Sequence, residues 1–195
     1  MNNYLQYFKD HHKCYVVFDF DGTLVDLDID WSGWESGLQL IYKKFENTYD
    51  TLTFTDRYSI YNEMIEKYDD PIWQEIIDFA TGYEKTHFKG YTENLNAIDA
   101  IVNGIGISCH VLSANTHILL DPIFSQLGIK DQIQTVIGRE DLQYEKPNPE
   151  GLLEIMGMNS NLNEWLMIGD QESDEQTAQN AGIDFAYVAS FGAWK

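Results

Sequence analysis

Residues 14–24 read Cys-Tyr-Val-Val-Phe-Asp-Phe-Asp-Gly-Thr-Leu, an apolar, β-branched run that ends in two carboxylates, a glycine and a hydroxyl. The run at 14–20 predicts a buried strand with acids at its end. Residues 107–112, 135–137, 165–168 and 185–188 are similar short apolar runs. Between the later runs, apolar residues recur at helical spacing and each stretch closes on a glycine. These are Leu95, Ile98, Ile101 and Val102 before Gly104; residues 118–127 before Gly128; Leu152, Leu153 and Met156 before Gly157; Ala178 and Ala181 before Gly182. Strands alternating with helices predict an α/β fold with a doubly wound, Rossmann-like, mostly parallel sheet.

The alternation breaks once, after the first run, where roughly 70 residues pass without a convincing strand, too many for a structureless loop in a compact domain. Within them Trp34, Leu38, Ile41, Tyr42 and Phe45 recur at helical spacing, as do Tyr58, Tyr61, Ile65 and Tyr68, and Ile72, Ile76, Ala80 and Tyr83. Asp70-Pro71 reads as N-cap and first helical residue of the third helix. The expectation is an α-helical cap at 25–89 inserted after the first strand, with 1–24 and 90–195 forming the core domain. The cap aromatics, Trp31 and Trp34 among them, read first as the cap's own packing, and Lys85, His87 and Lys89 as a solvated helix end.

The 195 residues carry 12 Lys and Arg against 32 Asp and Glu, a formal charge of −20. Nucleic acid is bound mainly by neutralising phosphates, and only Arg57 and Arg139 supply guanidinium groups. The sequence therefore excludes nucleic acid as a partner. Apolar runs fall far short of the roughly 20 residues that span a bilayer, and the N-terminus has no secretory h-region. A cytoplasmic protein is expected, with no membrane partner. The two cysteines, Cys14 and Cys109, read as buried free thiols. A monomer is the default, with a dimer as the alternative.

In open α/β sheets ligands bind beyond the carboxyl ends of the strands. There the sequence places Asp19, Asp21, Gly22 and Thr23 after the first run, Ser113, Ala114 and Asn115 after the second, and Gly169, Asp170 and Asp174 after the fourth. Lys146, within Glu145-Lys146-Pro147-Asn148-Pro149, precedes the fourth run and is the only Lys or Arg between Arg139 and Lys195. Two carboxylates about 4 Å apart repel by about 4 kcal/mol at an effective dielectric of 20, so four converging acids call for a cation. An all-oxygen donor set favours Mg²⁺. Mg²⁺, a lysine, a hydroxyl and backbone N–H groups suit a phosphoryl group. A carboxylate beside it can act as nucleophile and a second as acid and base.

These motifs resemble those of the haloacid dehalogenase superfamily, in family order: Asp19-Phe20-Asp21-Gly22-Thr23-Leu24, Ser113 with Asn115, Lys146 in Lys-Pro-Asn-Pro, and Gly169-Asp170 with Asp174. The insertion after the first motif resembles the phosphoglycolate phosphatase-type subfamily. The resemblance implies that Asp19 is the nucleophile and a metal ligand, and that Asp21 is the general acid and base and a ligand through its carbonyl. It further implies that Gly22, Thr23, Ser113, Ala114, Asn115 and Lys146 bind the phosphoryl group and that Asp170 and Asp174 serve the metal, with Lys146 also catalytic. The expected function is Mg²⁺-dependent hydrolysis of a small phosphorylated metabolite. A sugar phosphomutase and a non-catalytic phosphate-binding domain are the alternatives. The resemblance also implies that the Asp19 strand is central with the Ser113 strand beside it. Cys14 and Cys109 would then be neighbours, and a disulfide between them is the lesser reading.

Overall fold

The computed structural model describes residues 2–46, 57–158 and 161–192. Five parallel strands form the main sheet: β1 (Tyr15–Phe18), β4 (Ser108–Leu112), β5 (Ile133–Ile137), β6 (Trp165–Gly169) and β7 (Asp184–Tyr187), in the order β5-β4-β1-β6-β7. Strand β1 lies at the centre, as expected, with β4 on one side and β6 on the other. Being covered on both faces, it is apolar throughout. Side chains alternate across the sheet. Val16 and Phe18 face α1 (Asn3–Asp10), α5 (Leu95–Asn103) and α6 (His117–Leu127), while Val17 faces α7 (Glu150–Met156) and α8 (Glu172–Ala181). All four predicted glycine stops are C-caps, and Gly128 and Gly182 are left-handed with φ of +69° and +77°.

Three helices occupy the stretch after β1: α2 (Trp34–Phe45), α3 (Arg57–Tyr68) and α4 (Asp70–His87). Their apolar stripes join the layer of core that packs against α1, α5 and α6, so one continuous cluster runs from the sheet into these helices. The expected all-helical insertion needs a correction. β2 (Val25–Ile29) and β3 (Phe88–Glu93) pair antiparallel and bracket the three helices. Val25, Leu27 and Ile29 are buried, while Asp26 and Asp28 face solvent. A second correction concerns α4, whose N-cap is Asp69, with φ +55°, so that Asp70 already belongs to the helix. Helix α1 was not anticipated from the sequence. Asn2 Oδ1 caps it by accepting from the Tyr4 N–H at 2.9 Å, and its Tyr4 ring stacks on Phe191 at 4.1 Å. Cys14 and Cys109 are both free thiols. Cys109 is buried, and burial pushes it up to about 12, whereas Cys14 is only half-buried. No helix among the described residues is long and apolar enough to cross a membrane.

His110, on β4, is buried beside the Trp165 ring, and burial pushes its imidazole down to about 4. An unfolded histidine titrates near 6.5, so between these values the unfolded chain binds the extra proton. This contribution is complete above pH 6.5 and lost as the pH falls towards 4. Urea unfolding of wild type and His110→Asn should diverge across that window. Their stability difference should change by at most about 1.4 kcal/mol per pH unit, with wild type losing more on acidification.

Candidate active site

Parallel pairing of Phe18 with Val111 and with Ile168 brings the ends of β1, β4 and β6 together, at the point where the chain switches from one side of β1 to the other. Asp19 continues β1, its N–H donating to the Ile168 carbonyl at 2.8 Å. The Lys146 ammonium, on the loop before α7, donates to Asp19 Oδ1 at 2.6 Å and Asp174 Oδ1 at 2.5 Å, and all three residues are buried. Asp174 sits in the first turn of α8, and its other oxygen accepts the Asp170 and Gln171 N–H groups at 3.2 and 3.0 Å. Asp170 is half-buried beside them, and carboxylate oxygens of Asp19, Asp170 and Asp174 lie within 4.8 Å of one another. Two glycines make this proximity possible. A Cβ on Gly22, whose φ is +82°, would fall 2.4 Å from Asp170 Oδ2, and one on Gly169 would fall 2.3 Å from Asp174 Oδ2.

Burial pushes the Asp19 carboxyl up, to about 7, against the opposing pull of Lys146. Burial alone would lower the Lys146 ammonium, but the carboxylates of Asp174 and Asp19 outweigh it and hold the group above the ordinary lysine value. Three acids and one ammonium leave two negative charges uncancelled, and all the donors are hard oxygens. That set fits one divalent cation of the Mg²⁺ type.

Asp21 lines the cleft two residues beyond Asp19, and its Oδ1 accepts the Leu27 N–H of β2 at 2.9 Å. Ser113 Oγ donates to Asn115 Oδ1 at 3.1 Å and accepts the Asn115 N–H at 3.1 Å. Ala114 and Asn115 line the cleft. Gly22 and Thr23, expected in the phosphoryl-binding set, lie in the turn that follows β1. Their N–H groups donate within their own loop, to Val25 and Phe20 carbonyls, and Thr23 is fully buried away from the cleft. They shape the turn. His117 is turned to Asp141, 2.6 Å from its Nε2, and Lys85, His87 and Lys89 do not line the cleft.

The cleft has a volume of about 240 Å³, and α2 and α3 form its far wall through Trp34, Leu38 and Tyr61, beside Trp31. Trp31 and Trp34 pack within the inserted segment, as expected, on the Tyr83 ring at 6.1 and 5.3 Å between centroids, and they also border the cleft. Three residues with no role predicted from the sequence also converge here. Arg139, just after β5, is ion-paired with Glu145, donates from Nε to the Ala114 carbonyl at 2.6 Å, and lies over the Trp34 ring at 5.2 Å. Asn62 of α3 grips the Glu145 backbone, donating to its carbonyl and accepting its N–H, both at 2.9 Å. Glu84 of α4 is fully buried against the loop that follows β4.

Residues 16–188 match the family described as haloacid dehalogenase-like hydrolase. The chain belongs to that family. A phosphoglycolate phosphatase of Neisseria gonorrhoeae is 24% identical to this hydrolase over 185 residues, covering 88% of this chain and 78% of the other. Among solved structures, a Bacteroides fragilis protein described as a haloacid dehalogenase-like hydrolase aligns over 89% of this chain and 86% of its own. Its TM-score is 0.56 and its identity 21%. A Bacteroides vulgatus protein described as a β-phosphoglucomutase aligns over 98% and 88%, with a TM-score of 0.59 and 19% identity. At those identities the two structures show that the hydrolase shares their fold.

Because Arg139 and Glu145 are both nearly buried, removing one strands the other's charge. Arg139→Met should therefore destabilise the hydrolase by about 3 kcal/mol in urea unfolding, and adding Glu145→Gln should recover a large part of the loss. Equal losses in the single and double variants would show that the pair is not coupled.

Proposed function

We propose that the protein is a Mg²⁺-dependent phosphatase that hydrolyses a small phosphomonoester through an aspartyl-phosphate on Asp19. In this reading residues 1–24 and 90–195 are the catalytic core, and residues 25–89 are a cap that walls the leaving-group side. The observation that carries it is the Lys146 ammonium shared between Asp19 and Asp174 beneath a cleft, with Asp21 at the rim. Family membership and the similarity to a phosphoglycolate phosphatase support the same reaction class. The strongly acidic chain favours a free metabolite over nucleic acid as substrate, in a cytoplasmic monomer.

Asp19, Asp170 and Asp174, with the Asp21 carbonyl, would hold the Mg²⁺. When bound, the ion supplies positive charge against the phosphoryl oxygens and against the neighbouring carboxylates. Lys146 adds charge on the same side. The Asp19 carboxylate oxygen attacks phosphorus as the bond to the leaving oxygen breaks, and Asp21 gives that oxygen a proton. Asp21 then takes a proton from water, whose oxygen attacks phosphorus. The bond to Asp19 breaks, and inorganic phosphate leaves with the Asp19 carboxylate restored. Ser113, Ala114 and Asn115 position the phosphoryl group through the loop after β4. The Leu27 N–H holds Asp21 in place at the end of β1 by donating to its Oδ1.

A generic aryl phosphate tests the reading. Phosphate release should require Mg²⁺, stop with EDTA, and fall to background in Asp19→Asn. Activity surviving that substitution would overturn the covalent mechanism. The fate of the phosphoryl group separates a phosphatase from a phosphomutase. Release to water at an unchanged rate when sugar phosphate is added is the expected result.

A further inference from the structure

Glu84 is a fully buried acid on α4, a helix of the inserted segment, and all its hydrogen bonds run to the core loop after β4. Its Oε1 accepts from Asn115 Nδ2 at 3.1 Å. Its Oε2 accepts from the Thr116 N–H at 3.0 Å and the Thr116 hydroxyl at 2.5 Å. A carboxylate removed from water is costly unless its oxygens are satisfied, so this arrangement holds the loop as firmly as it holds Glu84. Burial raises the Glu84 carboxyl, and the Thr116 and Asn115 hydrogen bonds and Arg139 counter that shift.

The consequence falls on Asn115, which lines the cleft. Its amide has two ends, and each is assigned by a partner. The oxygen accepts from the Ser113 hydroxyl, and the nitrogen donates one hydrogen to Glu84. An amide held this way cannot rotate end for end, and its second N–H is left to donate elsewhere. We infer that Glu84 is a positioning residue for the phosphoryl-transfer site, fixing the Asn115 amide so that a donor faces the cleft. The inserted helices then contribute to the transfer step itself as well as to the wall beside the leaving group. A donor fixed before the reaction stabilises charge that develops on the phosphoryl oxygens, with no reorganisation needed during the step. Its loss therefore weighs on kcat more than on KM. This inference rests on the phosphatase reading proposed above.

Glu84→Gln keeps the shape of the side chain but places an amide where both acceptor oxygens are needed. Thr116→Val deletes the shortest hydrogen bond to the same carboxylate and leaves the Asn115 bond intact. With an aryl phosphate, Glu84→Gln should lower kcat at least tenfold with KM changed less than threefold. Thr116→Val should keep kcat within threefold although its melting temperature falls comparably. Glu84→Asp, which keeps the charge but retracts it by one methylene, gives the same comparison if the Gln variant does not fold. A kcat within threefold of wild type in both Glu84 variants would overturn the inference. So would kcat losses that follow melting temperature equally at Glu84 and Thr116. Wild-type phosphate release that does not depend on Asp19 would instead overturn the phosphatase reading, and the inference with it.

Discussion

A buried ammonium shared between two buried carboxylates is the constraint around which the sheet end is organised. Lys146, Asp19 and Asp174 come from three separate parts of the chain, and none could be buried alone without a large desolvation penalty. Their meeting depends on β1 and β6 being parallel neighbours, because that register places Asp19 opposite the turn that leads into α8. It also depends on the missing side chains of Gly22 and Gly169, whose Cβ atoms would overlap the Asp170 and Asp174 carboxylates. The backbone is therefore shaped around the charges. Burial raises Asp19, and the charges of the cluster remain underbalanced, which makes it fit for a divalent cation.

The parallel strands and the polar residues at their ends could be read from the sequence because most polar clusters directly follow an apolar run. Such a run has one buried solution, a parallel strand, and its carboxyl end is where such sheets bind ligands. The central place of the Asp19 strand beside the Ser113 strand, by contrast, came only from the family resemblance. The ribbon of β2 and β3 could not be read in this way. Its partners are separated by three helices, and β3 contains Lys89, Gly90 and Glu93, which carry no strand pattern. A motif identifies residues such as Gly22 and Thr23 without saying which serve the polypeptide and which the ligand. Their N–H groups are consumed by the turn itself.

Glu84 did leave a signal. Ile72, Ile76 and Ala80 form a stripe at four-residue spacing on α4, and the next position along it is Glu84, with all four residues fully buried. An acid that continues an apolar stripe has to meet donors, and here those donors belong to the loop that carries Asn115. Arg139 left a weaker one: it stands two residues beyond the end of β5, at the same edge as the motif residues, in a chain with only two arginines. Neither signal stands out in the sequence alone, because a charged residue on a helix or in a loop is by default a solvated one.

The acid excess of the whole chain has a counterpart in the cleft. Lys146 and Arg139 are the two cations that line it, and each is already matched by a carboxylate, Lys146 by Asp19 and Asp174 and Arg139 by Glu145. The protein's own charges therefore offer an incoming anion no long-range attraction. In the phosphatase reading proposed above, attraction would arise at short range, where a divalent cation held by the Asp19, Asp170 and Asp174 carboxylates would bring the local charge towards neutral beside the Lys146 ammonium. A compact phosphomonoester could use so small a local change because its charge is confined to one group. A polyanion could not, because every phosphate beyond the first would lie against an uncompensated acidic surface. In that reading the negative field that disfavours nucleic acid would also make the cation the condition for binding the small substrate.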